Sequence, residues 1–422
     1  MPLQKKLWKS MAKGLVLGAL FTTFLLLLYS YVVPPLHASP ASTTLEGTAP
    51  CSPPWVEPEP TLLANGSSPG CQPRRDIVFM KTHKTGSSTL LNILFRFGQK
   101  HRLKFAFPNG RNDFDYPAFF TRSLVQDYRP GACFNIICNH MRFHYNEVRS
   151  LVPPNATFIT VLRDPARHFE STFHYFGAVV PFTWKLSGPD KLAEFLQDPP
   201  RYYDPDGYNA YYLHNLLFFD LGYDSELAPD SPQVQEHILE VERRFHLVLL
   251  QEYFDESLVL LKELLCWELE DVLYFKLNAR RASSVPRLSD ELYQRATSWN
   301  ALDSRLYRHF NASFWRKVEA FGHRRMAREV AALRSANEHM RSICIDGGRA
   351  VDAEAIQDSA MQPWQPLGAK SILGYNLKKS IARRHRQLCR RMLTPEIQYL
   401  TDLGVNLWVT KLWKLIRDFL QW

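Results

Sequence analysis

The chain has 422 residues, a formal charge of +9, and is 45% hydrophobic, 13% aromatic and 22% charged. That composition excludes a collagen-like repeat, a wholly disordered polymer and a small disulfide-stapled module. The basic balance points toward anionic ligands or surfaces without naming one.

Near the N-terminus, Lys5, Lys6, Lys9 and Lys13 precede Gly14 to Val33, twenty residues without a charge. At about 1.5 Å per residue such a helix crosses a hydrocarbon core of about 30 Å. The positive-inside bias keeps the lysines cytoplasmic, so a single-pass, type II topology is expected. A cleaved signal peptide is the competing reading. Against it, Ala38-Ser39-Pro40 is a poor cleavage context and the apolar run exceeds the usual signal core of about 7–15 residues. The expected organisation is a tail over 1–13, an anchor over 14–33, a Pro-rich stalk over 34–73 that cannot bury enough apolar surface to fold, and a folded domain over 74–422.

Asn65, Asn155 and Asn311 begin Asn-x-Ser/Thr sequons on the expected non-cytoplasmic side and are the candidate glycosylation sites. Seven cysteines, an odd number, leave at least one thiol free or paired between chains in an oxidising compartment. Cys51 and Cys71 are placed to close a loop within the stalk. Cys133 and Cys138 lack the spacing of a zinc site, and no catalytic metal is expected.

From Arg74 onward the pattern is α/β. The run Ile77 to Met80 predicts a strand, Lys81 to Gly86 a turn, and Ser87 to Phe97 a helix with Leu90, Leu91, Leu94 and Phe95 on one side. Further strands are expected at Phe134 to Cys138, Phe158 to Leu162, Leu247 to Leu250 and Val272 to Phe275. Helical spacing covers Pro165 to Tyr175, Gln233 to Phe245, Asp255 to Leu269 and most of Ser289 to Arg341, with one long charged and apolar repeat from Ser313. Short apolar strands alternating with helices predict a mostly parallel sheet flanked by helices.

The segment Lys81-Thr82-His83-Lys84-Thr85-Gly86-Ser87-Ser88-Thr89 puts two cations, several hydroxyls and a glycine at a strand-to-helix junction. Open N–H groups at a helix start receive phosphate oxygens there, and a phosphate or phosphosulfate cradle is the physical reading. The G-x-x-x-x-G-K-[ST] spacing of a nucleoside-triphosphate loop is absent. Arg163-Asp164-Pro165-Ala166-Arg167 follows another strand. Arg163 supplies a planar donor fork, Ser171 a hydroxyl about two turns on, and Asp164 a cap for the helix. Asn139-His140-Met141-Arg142-Phe143-His144 follows a third strand, and histidine suits proton transfer because its ordinary pKa is about 6.5. The residues alone leave His140, His83 and His144 open as the base.

Three of these segments, Lys81 to Thr85, Cys138 to Arg142 and Val161 to Pro165, together with the N-terminal apolar run and the aromatic, basic C-terminus, resemble the galactose 3-O-sulfotransferase family over nearly the whole chain. The resemblance implies a P-loop nucleotide-kinase-like sulfotransferase fold and a Golgi membrane enzyme with its catalytic domain in the lumen. It implies transfer of a sulfonate from 3′-phosphoadenylyl sulfate to the 3-hydroxyl of a terminal β-galactose. Galactosylceramide, lactosylceramide and related β-galactosyl glycolipids are the implied acceptors, sulfatide the product, and sphingolipid metabolism the setting. A β-galactosyl glycoprotein or oligosaccharide is the alternative acceptor, nucleic acid is not an expected partner, and a homo-oligomer is possible. By the resemblance, Lys81, Thr82, Lys84, Thr85, Gly86, Ser87, Ser88 and Thr89 hold the 5′-phosphosulfate, Arg163 and Ser171 hold the 3′-phosphate, and His140 is the leading base, with Lys84 and His83 beside it.

Acceptor contacts are expected from the polar and aromatic stretch Phe105 to Tyr116, with a second wall over Tyr202 to Tyr212. At the C-terminus, Trp408, Leu412, Trp413, Ile416 and Phe419 alternate with Lys411, Lys414 and Arg417 as in an amphipathic helix. Its apolar face suits either a bilayer interface or the protein core.

Overall fold

The computed structural model describes residues 71–285, 287–367 and 371–420, with side chains of the last helix as far as Ile416. The expected anchor, nearly all of the stalk, Cys51 and Asn65 lie outside the described residues. Among the described residues no helix is long and apolar enough to cross a membrane.

Five strands form one sheet: β1 (Ile77–Met80), β2 (Phe105–Ala106), β3 (Ile136–Ile137), β4 (Thr157–Leu162) and β5 (Leu247–Leu250). Their order is β2-β3-β1-β4-β5 and every pairing is parallel. The strands are buried along their length except at Phe105, which is why their sequences are continuous apolar runs rather than alternating ones. The flanking helices used below are α1 (Ser87–Lys100), α2 (Pro165–Phe176), α3 (Leu216–Asp220), α4 (Pro232–Arg244), α5 (Phe254–Leu265), α6 (Asp290–Trp299), α7 (Ala301–Phe321), α8 (His323–Cys344), α9 (Arg383–Leu393), α10 (Glu396–Asp402) and α11 (Trp408–Leu420). The mostly parallel, helix-flanked sheet expected from the sequence is therefore present.

Several local expectations are corrected. Val272 to Phe275 is not a strand. Glu268 and Asp271 cap each other's backbone and wind Leu269–Val272 into a 3₁₀ turn, after which Tyr274 donates its N–H to the Asn337 side chain at 2.9 Å. The helix expected to reach Leu269 stops at Leu265, where Cys266 turns left-handed at φ 53°. The repeat from Ser313 is two helices, broken at Gly322 with φ 94°. The Phe134 to Cys138 strand shortens to Ile136–Ile137, and β2 was not anticipated.

Cysteine pairing also differs from the stalk loop drawn from spacing. Cys71 bonds to Cys266, not to Cys51, and so ties the start of the described residues to the end of α5. Cys344 bonds to Cys389, joining α8 to α9. Cys133 is disulfide-bonded too, while Cys138 is a buried free thiol.

The chain leaves β1, β3, β4 and β5 at the same edge of the sheet. The segments that follow them carry Lys81, His140, Arg163 and Gln251. The carboxyl ends of strands around a reversal of strand order form the usual ligand crevice of open parallel sheets.

Candidate active site

The β1–α1 loop is built as an anion cradle. Lys84 has φ 53° and Gly86 φ 77°, and Gly86 starts α1 with no side chain covering the helix's first N–H groups. A side chain at Gly86 would be strained by that φ and would meet Gln251 Cγ at 3.4 Å. The hydroxyls divide into two groups. Thr82 and Thr85 are buried and bond each other at 2.8 Å, whereas Ser87, Ser88 and Thr89 line the cavity beside Gly86, with Ser87 Oγ donating to the Thr82 carbonyl at 2.7 Å and Thr89 Oγ1 accepting from Leu277 N at 3.1 Å.

Two lysines in this loop have different partners. Lys81 Nζ contacts both Glu396 carboxylate oxygens at 2.7 Å, and Ser88 Oγ donates to the same carboxylate at 3.1 Å. Lys84 Nζ instead lies 3.6 Å from the centre of the Tyr175 ring. Burial, followed by the charges of Arg280, Arg163 and Lys81, pushes the Lys84 ammonium down to about 7.

Arg163, at the end of β4, donates from Nη1 to the Lys84 carbonyl at 2.9 Å. Its Nε is buried without a hydrogen-bond partner. Asp164 caps α2 by accepting from Arg167 N at 3.0 Å, Arg167 itself points to solvent, and Ser171 one face further along α2 lines the cavity. Arg280, which the sequence reading did not single out, completes the cluster and holds Glu170 Oε2 at 2.5 Å. It lies in an irregular segment after the Leu269–Val272 turn, with no periodicity or motif to mark it. Three half-buried cations, one unpaired donor and open helix N–H groups fit a ligand bearing phosphates at two ends.

The histidines are held differently from one another. His140 Nδ1 donates to the Lys81 carbonyl at 3.0 Å, which leaves its Nε2 as the lone-pair nitrogen. Burial first, then His83 and Lys81, holds His140 well below the ordinary histidine value. His83 Nδ1 lies 2.9 Å and 3.1 Å from the two oxygens of Asp220, and its backbone N–H donates to the same carboxylate at 2.8 Å. Tyr116 Oη donates to Asp220 at 2.8 Å. Asp220 is fully buried at the end of α3, and the sequence offers only an acid closing an apolar run. Asp303 from α7 accepts from Leu217 N and Phe218 N at 3.0 Å and 2.9 Å, fixing the start of that helix.

Lys84, Arg163, Ser171, His83 and His140 all line one cavity of about 750 Å³. Of the expected acceptor stretch, Arg111, Asn112, Asp113 and Tyr116 reach it, while Phe105, Phe107 and Phe114 pack into the core. Of the second wall only Tyr212 does, stacked on Phe176 with centroids 3.9 Å apart. Tyr202 and Tyr203 pack against a smaller core under α2, and Tyr208 is exposed. His144 is exposed and away from the cavity lining, and the Arg142 guanidinium is sandwiched 4.0 Å from both Phe119 and Phe219. Among the described residues no cluster of three metal-ligating side chains occurs. Asn155 is exposed in the turn before β4, whereas Asn311 is half-buried within α7 and its Oδ1 has no partner.

Residues 1–407 match the family model described as galactose-3-O-sulfotransferase. The chain belongs to the galactose-3-O-sulfotransferase family. It is 86% identical over 423 aligned residues to the galactosylceramide sulfotransferase of Bos taurus and 83% identical over 422 to that of Homo sapiens, each match covering 100% of both chains. The galactose-3-O-sulfotransferase 2 of Sus scrofa is 41% identical, over 81% of this chain and 86% of its own. A sulfotransferase crystal structure from Alicyclobacillus acidocaldarius covers 58% of this chain at 12% identity with a TM-score of 0.31, too distant for residue comparison. As a member of this family the chain is a sulfotransferase, and its cleft must bring a sulfonate donor and a galactose hydroxyl together.

Proposed function

We propose that the enzyme transfers a sulfonate from 3′-phosphoadenylyl sulfate to the 3-hydroxyl of the β-galactose of galactosylceramide, with lactosylceramide and related galactolipids as further acceptors. The observation that carries this reading is the convergence of the Lys84, Arg163 and Arg280 cluster with the His83–His140 pair on a single cavity. The acceptor follows from the full-length identity to enzymes named for galactosylceramide, twice that to the more distant family members.

In this reading the loop from Lys84 to Thr89 takes the 5′-phosphosulfate and Arg163 with Ser171 the 3′-phosphate. Lys84 and the α1 N–H groups stabilise charge on the leaving phosphate as the S–O bond to it lengthens. The incoming galactose oxygen forms the new S–O bond in line, its proton passes to a histidine, and adenosine 3′,5′-bisphosphate leaves. Although the family resemblance puts His140 first, His83 is the better acceptor of that proton. Asp220 stabilises a cation on His83, as a carboxylate does behind a catalytic imidazole, whereas burial and neighbouring positive charge resist one on His140. His140 then serves as a neutral hydrogen-bond acceptor that orients the sugar hydroxyl.

The proposal includes a type II Golgi membrane enzyme with its catalytic domain in the lumen, supported by the Lys-flanked apolar run Gly14 to Val33, and glycosylation at Asn65 and Asn155. The test is incubation of the purified enzyme with labelled donor and a panel of galactosylceramide, lactosylceramide and galactosyl glycoprotein. Preferred labelling of galactosylceramide is expected. Preferred labelling of the glycoprotein would reassign the acceptor, and no labelling would defeat the proposal.

A further inference from the structure

Between Trp408 and Ile416 the last helix, α11, leaves an apolar stripe open to solvent. Trp408, Leu412 and Leu415 recur at i, i+4 and i+7 and so share one face, yet they are 57%, 39% and 67% exposed. A surface helix of a globular domain normally buries its apolar stripe. On its inner side Thr410 is buried, its hydroxyl 3.4 Å from Asn112 Oδ1, with Val409 and Ile416 half-buried. Lys411 and Lys414 are exposed beside the stripe. Tryptophan, leucine and lysine on the open side of an amphipathic helix is the composition of an element lying in a membrane interface, its lysines matched to anionic headgroups.

The helix is fixed to one end of the cleft. Val409 N donates to Gly110 O at 2.9 Å, Gly110 N to Asn406 O at 2.8 Å, and Asn406 Nδ2 to Asn109 Oδ1 at 2.9 Å. The same loop continues through Arg111, Asn112 and Asp113 into the cavity wall. Phe114 N donates to His140 O at 2.8 Å, and Asn139 Nδ2 to Asn112 O at 3.1 Å. Thr410 and Trp413 are themselves cavity residues, with Trp413 47% exposed at the rim. The exposed stripe thus adjoins the histidine end of the cavity through a short hydrogen-bonded chain.

We propose that the open face of α11 docks on an anionic bilayer and seats the histidine end of the cleft at the headgroup layer, so that the galactose of a membrane-embedded lipid enters without leaving the bilayer. This rests on the lipid-acceptor reading above. Burial of these exposed leucines in the bilayer favours docking and so governs capture of an embedded substrate.

The test uses the full chain reconstituted in vesicles and two acceptors, galactosylceramide embedded in the vesicle and water-soluble octyl β-galactoside. Leu412 and Leu415 do not line the cavity, so the double variant Leu412→Glu/Leu415→Glu is expected to lower kcat/KM for the embedded lipid by about tenfold, or about 1.4 kcal/mol, and to leave the soluble galactoside within about twofold. Lys411→Glu/Lys414→Glu is expected to abolish any rate advantage of phosphatidylserine vesicles over neutral ones. Equal loss on both acceptors, or no loss on either, overturns the proposal. So does a change of oligomeric state in the leucine variant by sedimentation in detergent, which would make the face a contact between copies. Failure of the unsubstituted enzyme to sulfate either galactoside would instead defeat the proposed function.

Discussion

His83 and His140 lie face to face, their ring centroids 3.9 Å apart and 8° from parallel, although they reach the cleft from different strands. Two imidazoles this close do not both carry a proton readily, because each cation would repel the other. Asp220 contacts only His83 of the two, which selects the ring that takes the charge. Asp220→Asn is therefore expected to lower kcat by about 10²- to 10⁴-fold, with affinity for adenosine 3′,5′-bisphosphate unchanged by calorimetry. An unchanged kcat would remove Asp220 from the chemistry.

The pH profile separates the two rings. A base must be unprotonated to act, so activity falls toward acid as its ring takes a proton. His140 is held well below the ordinary value and stays neutral through neutral pH, so it does not set that fall. The acid limb of kcat should therefore persist, at reduced rate, in His140→Asn, and its loss in that variant would return the role of base to His140.

On the proposed function, Lys84 makes donor binding a proton-linked event. With its ammonium pushed down to about 7 in the free protein, Lys84 is largely neutral at pH 8. A bound phosphosulfate or phosphate favours the charged form and raises its pKa. Binding of adenosine 3′,5′-bisphosphate at pH 8 should take up close to one proton, with less uptake at pH 6, where Lys84 is already charged. Calorimetry in buffers of different ionisation enthalpy reads the number directly, and Lys84→Met should abolish the uptake.

Arg280 heads the charges that depress Lys84 and lines the same cavity, the proposed donor site. Arg280→Ala should weaken adenosine 3′,5′-bisphosphate binding by about 10- to 100-fold, the scale of one charge-assisted hydrogen bond of about 1.5–3 kcal/mol. It should also shrink the proton uptake at pH 8, because Lys84 would begin closer to its charged state. Loss of affinity with undiminished uptake would place Arg280 outside the Lys84 cluster.

Non-reducing peptide mapping should recover Cys71 with Cys266 and Cys344 with Cys389. Cys138 is buried, and burial pushes its thiol far above the ordinary range, so alkylation should reach it only after unfolding. Recovery of a Cys51–Cys71 peptide would contradict the tie between Cys71 and the end of α5.

Much of this site was legible because its residues sit where periodicity breaks. Lys84, Arg163 and His140 each follow an apolar strand in sequence, and parallel strands bring such ends together whatever their order. Asp220 and Arg280 were not legible. Each owes its role to long-range packing, Asp220 meeting a loop more than a hundred positions earlier and Arg280 doing the same with Glu170. The Val272 to Phe275 run misleads for a related reason: its apolar residues do enter the core, but reciprocal acidic caps just upstream fix a turn that no hydrophobic pattern records. Pairing of Cys71 likewise follows from where α5 ends, which spacing alone does not reveal.

The most direct measurement is a crystal structure of the enzyme with adenosine 3′,5′-bisphosphate and a soluble β-galactoside. The account predicts the 5′-phosphate against Lys84 and the start of α1, the 3′-phosphate against Arg163 and Ser171, and the galactose 3-hydroxyl within hydrogen-bond reach of His83. A nucleotide bound in the opposite sense, or a 3-hydroxyl remote from both stacked histidines, would contradict it.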